Sequence, residues 1–188
     1  MQKLKAKIRL YLPLIKSLQT ALLLVTGLAG YMTARCPVTT RPTMLGLAAS
    51  LFLSISGSTI LNMWYDRDID AKMGRTAKRP LPSGEINARE ALGVGLALSA
   101  LGVGIALRMD VLYGIIIFGG LFIDVVVYTI WLKRKTAWSI VWGGISGGMP
   151  ILAGRALGLG HIDWVSATLT LAILFWIPTH ILTFSMRY

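Results

Sequence analysis

The chain has 188 residues, of which 55% are hydrophobic and 14% are charged, a composition too apolar for an ordinary soluble domain. Its net charge of +11 does not indicate nucleic-acid binding, because the basic residues lie in short runs between apolar segments, as in membrane proteins. The single cysteine, Cys36, excludes an internal disulfide framework and a cysteine-based zinc site. We therefore expect a protein of the lipid bilayer that binds no nucleic acid.

Six apolar segments follow one another along the chain and predict membrane-spanning helices. They cover residues 14–34, 43–63, 91–107, 111–131, 137–157 and 164–185. The first is expected to be a true membrane helix, because no small-residue cleavage site clearly follows it. The sequence thus predicts an all-α, polytopic membrane bundle of about six transmembrane helices, forming one domain over residues 1–188.

The basic residues also predict the orientation of this bundle. With a cytoplasmic N-terminus, fifteen of the nineteen Lys and Arg residues lie inside and four lie outside. Such an imbalance is the positive-inside pattern, so we expect a multi-pass protein of the cell membrane with its N-terminus in the cytoplasm. The same count places a charged stretch, residues 62–90, and the basic loop at 133–135 on the cytoplasmic face.

The stretch from Asn62 to Gly84 holds three of the eight acidic residues and five of the nineteen basic ones. Charge this dense beside a membrane segment is costly and is usually functional. Asn62, Asp66 and Asp70 are spaced four residues apart, so they share one face of a helix. Their oxygens suit a hard divalent cation, and we predict a Mg2+ site there.

Basic side chains suited to phosphate oxygens follow this acidic face. They are Arg75, Lys78 and Arg79, together with Lys133 and Arg134 of the later basic loop. Carboxylates next to cations predict a site for Mg2+ and a diphosphate. The alternative for the basic residues is that they only set the membrane topology.

At this point the sequence resembles a known family, the UbiA-type intramembrane aromatic prenyltransferases, and most closely its heme O synthase branch (protoheme IX farnesyltransferase). The stretches that carry the resemblance are Asn62-x-x-x-Asp66-x-x-x-Asp70 with Arg75-Thr76 and Arg79-Pro80-Leu81-Pro82-Ser83-Gly84, Tyr128-Thr129 with Leu132-Lys133-Arg134-Lys135-Thr136, Gly143-Gly144-x-x-Gly147-x-x-Pro150, and Trp176-x-Pro178-Thr179-His180. A weaker match is Lys16-Ser17-Leu18-Gln19, where the family has proline after the lysine.

The resemblance implies the transfer of a farnesyl group from farnesyl diphosphate to the vinyl group of heme B (protoheme IX), with Mg2+ as cofactor. The product is heme O, for terminal oxidase biogenesis, and contact with heme A synthase or with terminal oxidase assembly is a further expectation. Two alternatives stay open: an enzyme of the same fold acting on a quinone precursor or chlorophyllide, and an inactive membrane fragment. Family members have nine helices and a second aspartate motif after the sixth, so ending at Tyr188 predicts a C-terminally incomplete member.

The resemblance also implies roles for single residues. Asp66 and Asp70 would be the catalytic Mg2+ ligands with Asn62 in support, and Arg75 would act on the diphosphate. The other diphosphate-binding candidates are Lys78, Arg79, Lys133 and Arg134. His180 is the best candidate for contacting heme, its alternative being a structurally hydrogen-bonded histidine, whereas His161 is expected to be solvated.

Three further expectations concern aromatic rings, a channel for the farnesyl tail and an acidic residue within a span. Aromatic rings of Trp64, Tyr65, Tyr128 and Trp176 would stabilise an allylic cation, or else would anchor the chain at the membrane interface. The farnesyl tail would lie in an apolar channel lined by spans two to five. Asp124 lies within the fourth apolar segment with no evident partner, and Arg108 or Arg155 are the candidates to pair with it.

Overall fold

In the computed structural model the described residues are 10–35 and 39–185, and the regular structure within these ranges is helical. A short helical segment, residues 10–15, precedes the main helices. The main helices are α1 (Ser17–Arg35), α2 (Arg41–Asp70), α3 (Ala88–Met109), α4 (Val111–Phe122) with its continuation the π segment (Ile123–Leu132), α5 (Ser139–Leu159) and α6 (Trp164–Ser185). The expected all-helical architecture is confirmed.

Four of these helical stretches are long and apolar enough to cross a membrane. They are α1, α2, α3, and α4 together with the π segment. The glycine-rich α5 has 21 residues, and α6 contains the shorter apolar stretch Trp164–Ile177. Many outward-facing leucines, valines and phenylalanines are exposed, as expected where the surrounding solvent is lipid.

Local capping sets the start of α3 and α4. The Asn87 side chain accepts a hydrogen bond from the backbone N–H of Arg89, and Asp110 accepts one from the N–H of Tyr113. Such caps satisfy N–H groups that have no partner inside the helix. Asp110 is also the single residue between the two helices, so the connection between them is tight.

The charged stretch divides into two parts. Residues 62–70 form the last turns of α2, whereas residues 71–87 form successive turns, a region in which Pro80 and Pro82 disfavour a helix. Leu81 and Ile86 of this second part are buried in a hydrophobic cluster with Leu14, Ile60, Met63 and Ala91. This cluster holds the turns of residues 71–87 against the end of α2.

The π segment was not predicted from the sequence. A π-helix is rare, and where it occurs it is frequently found at a functional site. Here the wider turns bury Thr129 completely, and its hydroxyl lies 2.8 Å from both the Asn62 side-chain oxygen and the Asp124 carbonyl oxygen.

Glycines allow close approach between α1 and α5. A Cβ atom added at Gly154 would overlap the carbonyl oxygen of Gly27, and one at Gly30 would overlap that of Ile151. Close backbone approach through small residues is the usual way helices associate in membranes. A small residue also allows close packing of α2 on α3 at Gly57, where an added Cβ would overlap Ser99.

Gly154→Ala is therefore expected to destabilise the protein. The added methyl meets backbone atoms, which cannot rotate away, so we expect a loss of roughly 1–3 kcal/mol, measured by thermal unfolding of detergent-solubilised protein. Gly104→Ala on α3 is the matched control, because a Cβ there meets nothing within 4 Å. A Gly154→Ala protein as stable as the control would contradict this account of the α1–α5 contact.

Candidate active site

The two carboxylates that the sequence singled out lie one turn apart at the end of α2 and are largely buried. Their side chains are 13% and 12% exposed for Asp66 and Asp70. Lys133 forms an ion pair with Asp66, and Arg79 Nη1 lies 2.9 Å from Asp70 Oδ2. The acidic face of α2 therefore meets both basic loops, as the topology predicted.

Asp68 points away from this pair, as its position on the helix implies. Its side chain is 58% exposed, and its two oxygens accept hydrogen bonds of 2.7 and 3.0 Å from Arg134. This hydrogen bonding raises the pKa of Arg134. Arg134 also donates to the carbonyl oxygen of Tyr65 at 2.7 Å and lies over the Tyr65 ring, so its position is fixed by three contacts.

A charged cavity of about 530 Å³ opens in front of these residues. Its lining includes Asp66, Asp70, Arg75, Arg79, Lys133 and Arg134. Thr76 is a buried residue of the same lining and donates a 2.8 Å hydrogen bond to the carbonyl oxygen of Asp70, which ties the turn carrying Arg75 to the end of α2. Lys78 is exposed and does not line this cavity.

An apolar cavity of about 450 Å³ adjoins the charged one inside the bundle. It is lined by α1, α2, α4, the π segment, α5 and α6, with Leu, Ile, Gly and Ser as the main side chains. The expectation that spans two to five form an apolar channel is thus wrong for this cavity in two respects. Helix α3 contributes no residue to it, because α3 packs on the far side of α2, whereas α1 and α6 do contribute.

Three polar side chains line both cavities: Lys16, Asn62 and Lys133. Lys16 was missed as a site residue by the sequence analysis, although it opens the weak family match at residues 16–19. It separates the helical segment 10–15 from α1 and has a positive φ of 49°. This left-handed conformation is uncommon for a residue with a Cβ atom and brings the ammonium group to the junction between the cavities.

Asp124 has partners that the sequence did not reveal. Its carboxylate accepts hydrogen bonds from Ser58 and from Asn62 Nδ2, the latter at 2.9 Å, and Ser146 Oγ lies 3.4 Å away. The suggestion that Arg155 pairs with Asp124 is wrong, because Arg155 forms a salt bridge with Asp163 at the opposite end of the bundle. That pairing holds the pKa of Asp163 well below its usual range.

The aromatic candidates separate into two groups. Tyr128 and Trp176 line the apolar cavity, and Lys133 lies 5.6 Å from the centre of the Tyr128 ring. Trp64 and Tyr65 line neither cavity, and each has an arginine over its ring. His180 also lines the apolar cavity and stacks on Trp176, with ring centroids 5.2 Å apart. His161 is exposed in the turn before α6.

The donor atoms at the end of α2 suit Mg2+. In the described ranges no cluster of three or more His, Cys, Asp or Glu side chains is present, so the protein offers two carboxylates, Asp66 and Asp70. Mg2+ is commonly held in this way, by one or two carboxylates together with water and substrate phosphates. Asp66 Oδ1 is buried and has no hydrogen-bond partner within those ranges. The Asn62 oxygen already accepts from Thr129 but retains a second lone pair.

Comparison with known proteins identifies the family of this chain. The model of the UbiA prenyltransferase family matches residues 23–188. The chain belongs to the UbiA prenyltransferase family. This UbiA-family chain is 44% identical to the protoheme IX farnesyltransferase of Archaeoglobus fulgidus, with 100% of this chain and 64% of that protein covered. It is 43% identical to the enzyme of that name from Pyrobaculum arsenaticum, covering 95% and 64%.

Solved structures show that the fold is that of UbiA proteins. A UbiA homolog from Archaeoglobus fulgidus bound to DMAPP and Mg2+ superposes with a TM-score of 0.78 at 22% identity, over 91% of this chain and 62% of that one. A digeranylgeranylglyceryl phosphate synthase gives a TM-score of 0.81 at 24% identity, over 94% and 60%. This UbiA-family chain thus spans a little under two thirds of the length of these curated and structural relatives.

Proposed function

We propose that this chain belongs to an enzyme that transfers a farnesyl group from farnesyl diphosphate to the vinyl group of heme B, forming heme O. The observation that carries the proposal is the junction of a charged cavity with an apolar one at Lys16, Asn62 and Lys133. A prenyl diphosphate has the same two-part chemistry, an anionic head on an apolar tail. The similarity to protoheme IX farnesyltransferases supports heme B as the acceptor.

The basic residues of the charged cavity suit the diphosphate. Breaking the allylic C–O bond leaves additional negative charge on the leaving group, and preorganised positive groups lower the energy of that step. Arg75, Arg79, Lys133 and Arg134 line the cavity together with Lys16. Lys78 lies outside this lining and has the weakest support among the predicted diphosphate ligands.

Asp66 and Asp70 are the residues that would hold Mg2+, with Asn62 as a supporting oxygen donor. When bound, the metal supplies positive charge next to the leaving diphosphate. Lys133 and Arg79, which pair with these carboxylates in the structure, would then become available to the diphosphate oxygens. The two carboxylates would then have Mg2+ as their partner and the two basic side chains would have the diphosphate. Each of these charges keeps a partner of opposite sign, as a low-dielectric site requires.

The apolar cavity would hold the farnesyl chain and the reacting vinyl group. The Tyr128 ring lies beside the junction and can stabilise a developing cation through its face. Trp176 and His180 lie on the α6 side of the same cavity and are the proposed heme contacts. The enzyme would lie in the cell membrane with its N-terminus and the charged cavity on the cytoplasmic side, where contact with heme A synthase or the oxidase assembly is a further prediction.

The product formed in membranes tests this proposal. The chain is expressed in a bacterial host that lacks heme O synthesis, and extracted hemes and lipids are analysed by mass spectrometry. We expect heme O, absent from the same host with an empty vector. A prenylated phenol or prenylated chlorophyllide without heme O would overturn the choice of acceptor, and no prenylated product at all would favour the inactive-fragment alternative.

A further inference from the structure

Asp124 is an acidic residue that the proposed diphosphate chemistry does not use. It lies on the π segment, lines the apolar cavity, and faces α2 and α5. A carboxylate costs a great deal of free energy in such surroundings unless its oxygens accept hydrogen bonds. The hydrogen bonds that each Asp124 oxygen accepts therefore show whether an acceptor remains for a bound molecule.

The two oxygens of Asp124 are unequally satisfied. Oδ2 accepts from both Ser58 and Asn62. Among the described residues, Oδ1 has only Ser146 Oγ at 3.4 Å, and the same hydroxyl lies 2.9 Å from the carbonyl oxygen of Gly143. Because a hydroxyl has one proton, the Ser146 hydroxyl donates mainly to the closer acceptor, which is the Gly143 carbonyl oxygen. Oδ1 is thus left with acceptor capacity on the wall of an apolar cavity.

The position of Asp124 relates this acceptor to the reacting centre. Asn62 donates to Asp124 and itself lines both cavities. Asp124 therefore lies one side chain away from the junction, on its apolar side. A hydrogen-bond donor bound to Oδ1 would lie next to the place where the prenyl carbon leaves the diphosphate.

We propose that Asp124 Oδ1 binds the water molecule that completes the addition to the vinyl group, so that its oxygen becomes the hydroxyl of a hydroxyethylfarnesyl substituent. This inference rests on the proposed function. Neither a farnesyl chain nor a vinyl group has a hydrogen-bond donor, so water is the donor that the reaction supplies. Asp124 acts here by orienting that water, a role in which an acceptor close to the reacting carbon is needed.

The bonds and charges of the step balance as follows. The C1–O bond of farnesyl diphosphate breaks, and its electron pair stays on the diphosphate. The vinyl π electrons form a bond to C1, which leaves a cation on the carbon attached to the porphyrin. The water oxygen forms a bond to that carbon, and the surplus proton ends on the diphosphate, which has gained one negative charge. Without a positioned water, the cation loses a proton from its neighbouring carbon and gives an alkene one water lighter.

The ratio of hydroxylated to dehydrated product therefore tests the proposal. We expect this ratio to fall in Asp124→Asn and in Asp124→Ala by roughly tenfold or more, the effect of losing one hydrogen bond to a charged acceptor. Both products are measured by mass spectrometry in one heme extract from the full chain in membranes, so a lower yield of folded protein does not change the ratio. Ser54→Ala is the matched control, since Ser54 lines the same cavity and its hydroxyl has no hydrogen-bond partner in the described residues.

A second measurement needs no variant. The unaltered chain is assayed in water labelled with heavy oxygen, and the product hydroxyl is expected to contain the label. An unlabelled hydroxyl, or Asp124 variants that keep the product ratio of the control, would overturn the role of Asp124. Failure of the proposed function is distinguishable from these outcomes, because no prenylated heme of either kind would then form.

Discussion

Asp66→Ala is expected to lower kcat for prenyl transfer by roughly a thousandfold, the scale seen when a group that stabilises transition-state charge is removed. The change removes one of the two carboxylates that would hold Mg2+, and it leaves Lys133 without its partner. An unpaired Lys133 can still bind the diphosphate. We therefore expect the KM for farnesyl diphosphate to change much less than kcat, which marks an interaction made mainly in the transition state.

The control for this variant is Asp68→Ala. It removes the same charge from the same helix, two residues away, but from a side chain that is 58% exposed and lines neither cavity. Arg134 would keep its hydrogen bond to the Tyr65 carbonyl oxygen, so a loss within about fivefold is expected, because exposed ion pairs contribute little. Initial rates with saturating and limiting farnesyl diphosphate give both constants. Equal losses in the two variants would show that net charge, and not a metal ligand, sets the rate.

Asp66 and Asp70 were predictable because their spacing needs only the helical period. The helices of the bundle followed from the apolar segments for a similar reason, since lipid restricts a spanning chain to few structures. Pro80 and Pro82 also act locally, by breaking a helix. In each case the information lies within about thirty consecutive residues.

Asp124 and Lys16 show where such reasoning fails. The donors to Asp124 are Ser58, Asn62 and Ser146, which lie 66, 62 and 22 residues away along the chain. They meet only because α2, the π segment and α5 pack together, and small residues permit several packings. The π segment was not predicted either, and its buried Thr129 hydroxyl donates to Asn62, which lies 67 residues away along the chain. Lys16 needed its left-handed backbone to reach the junction, and a sequence shows no such conformation at a lysine.

Removing divalent cations with EDTA is expected to abolish activity without unfolding the protein. Lys133 and Arg79 pair with Asp66 and Asp70, so neither carboxylate depends on a metal for a cationic partner. We therefore expect the melting temperature to change by less than about 2 °C, equivalent to a small part of the folding free energy. Added Mg2+ should restore the rate. Full activity in EDTA would remove the metal from the mechanism, and a large drop in melting temperature would give it a structural role.

The Asp70→Asn variant tests quantitatively whether Asp70 binds Mg2+. The amide keeps the shape of the carboxylate but loses its charge, so we expect the Mg2+ concentration for half-maximal rate to rise by roughly tenfold or more, as when groups at a metal site are altered. Asp163→Asn is the matched control, because it makes the same chemical change at the opposite end of the bundle, where Asp163 pairs with Arg155. The measurement is the rate as a function of free Mg2+ for each variant. A parallel shift in both variants would indicate a general electrostatic effect. A shift confined to Asp70→Asn would indicate a metal at the end of α2, because Asp70 lines the charged cavity and Asp163 does not.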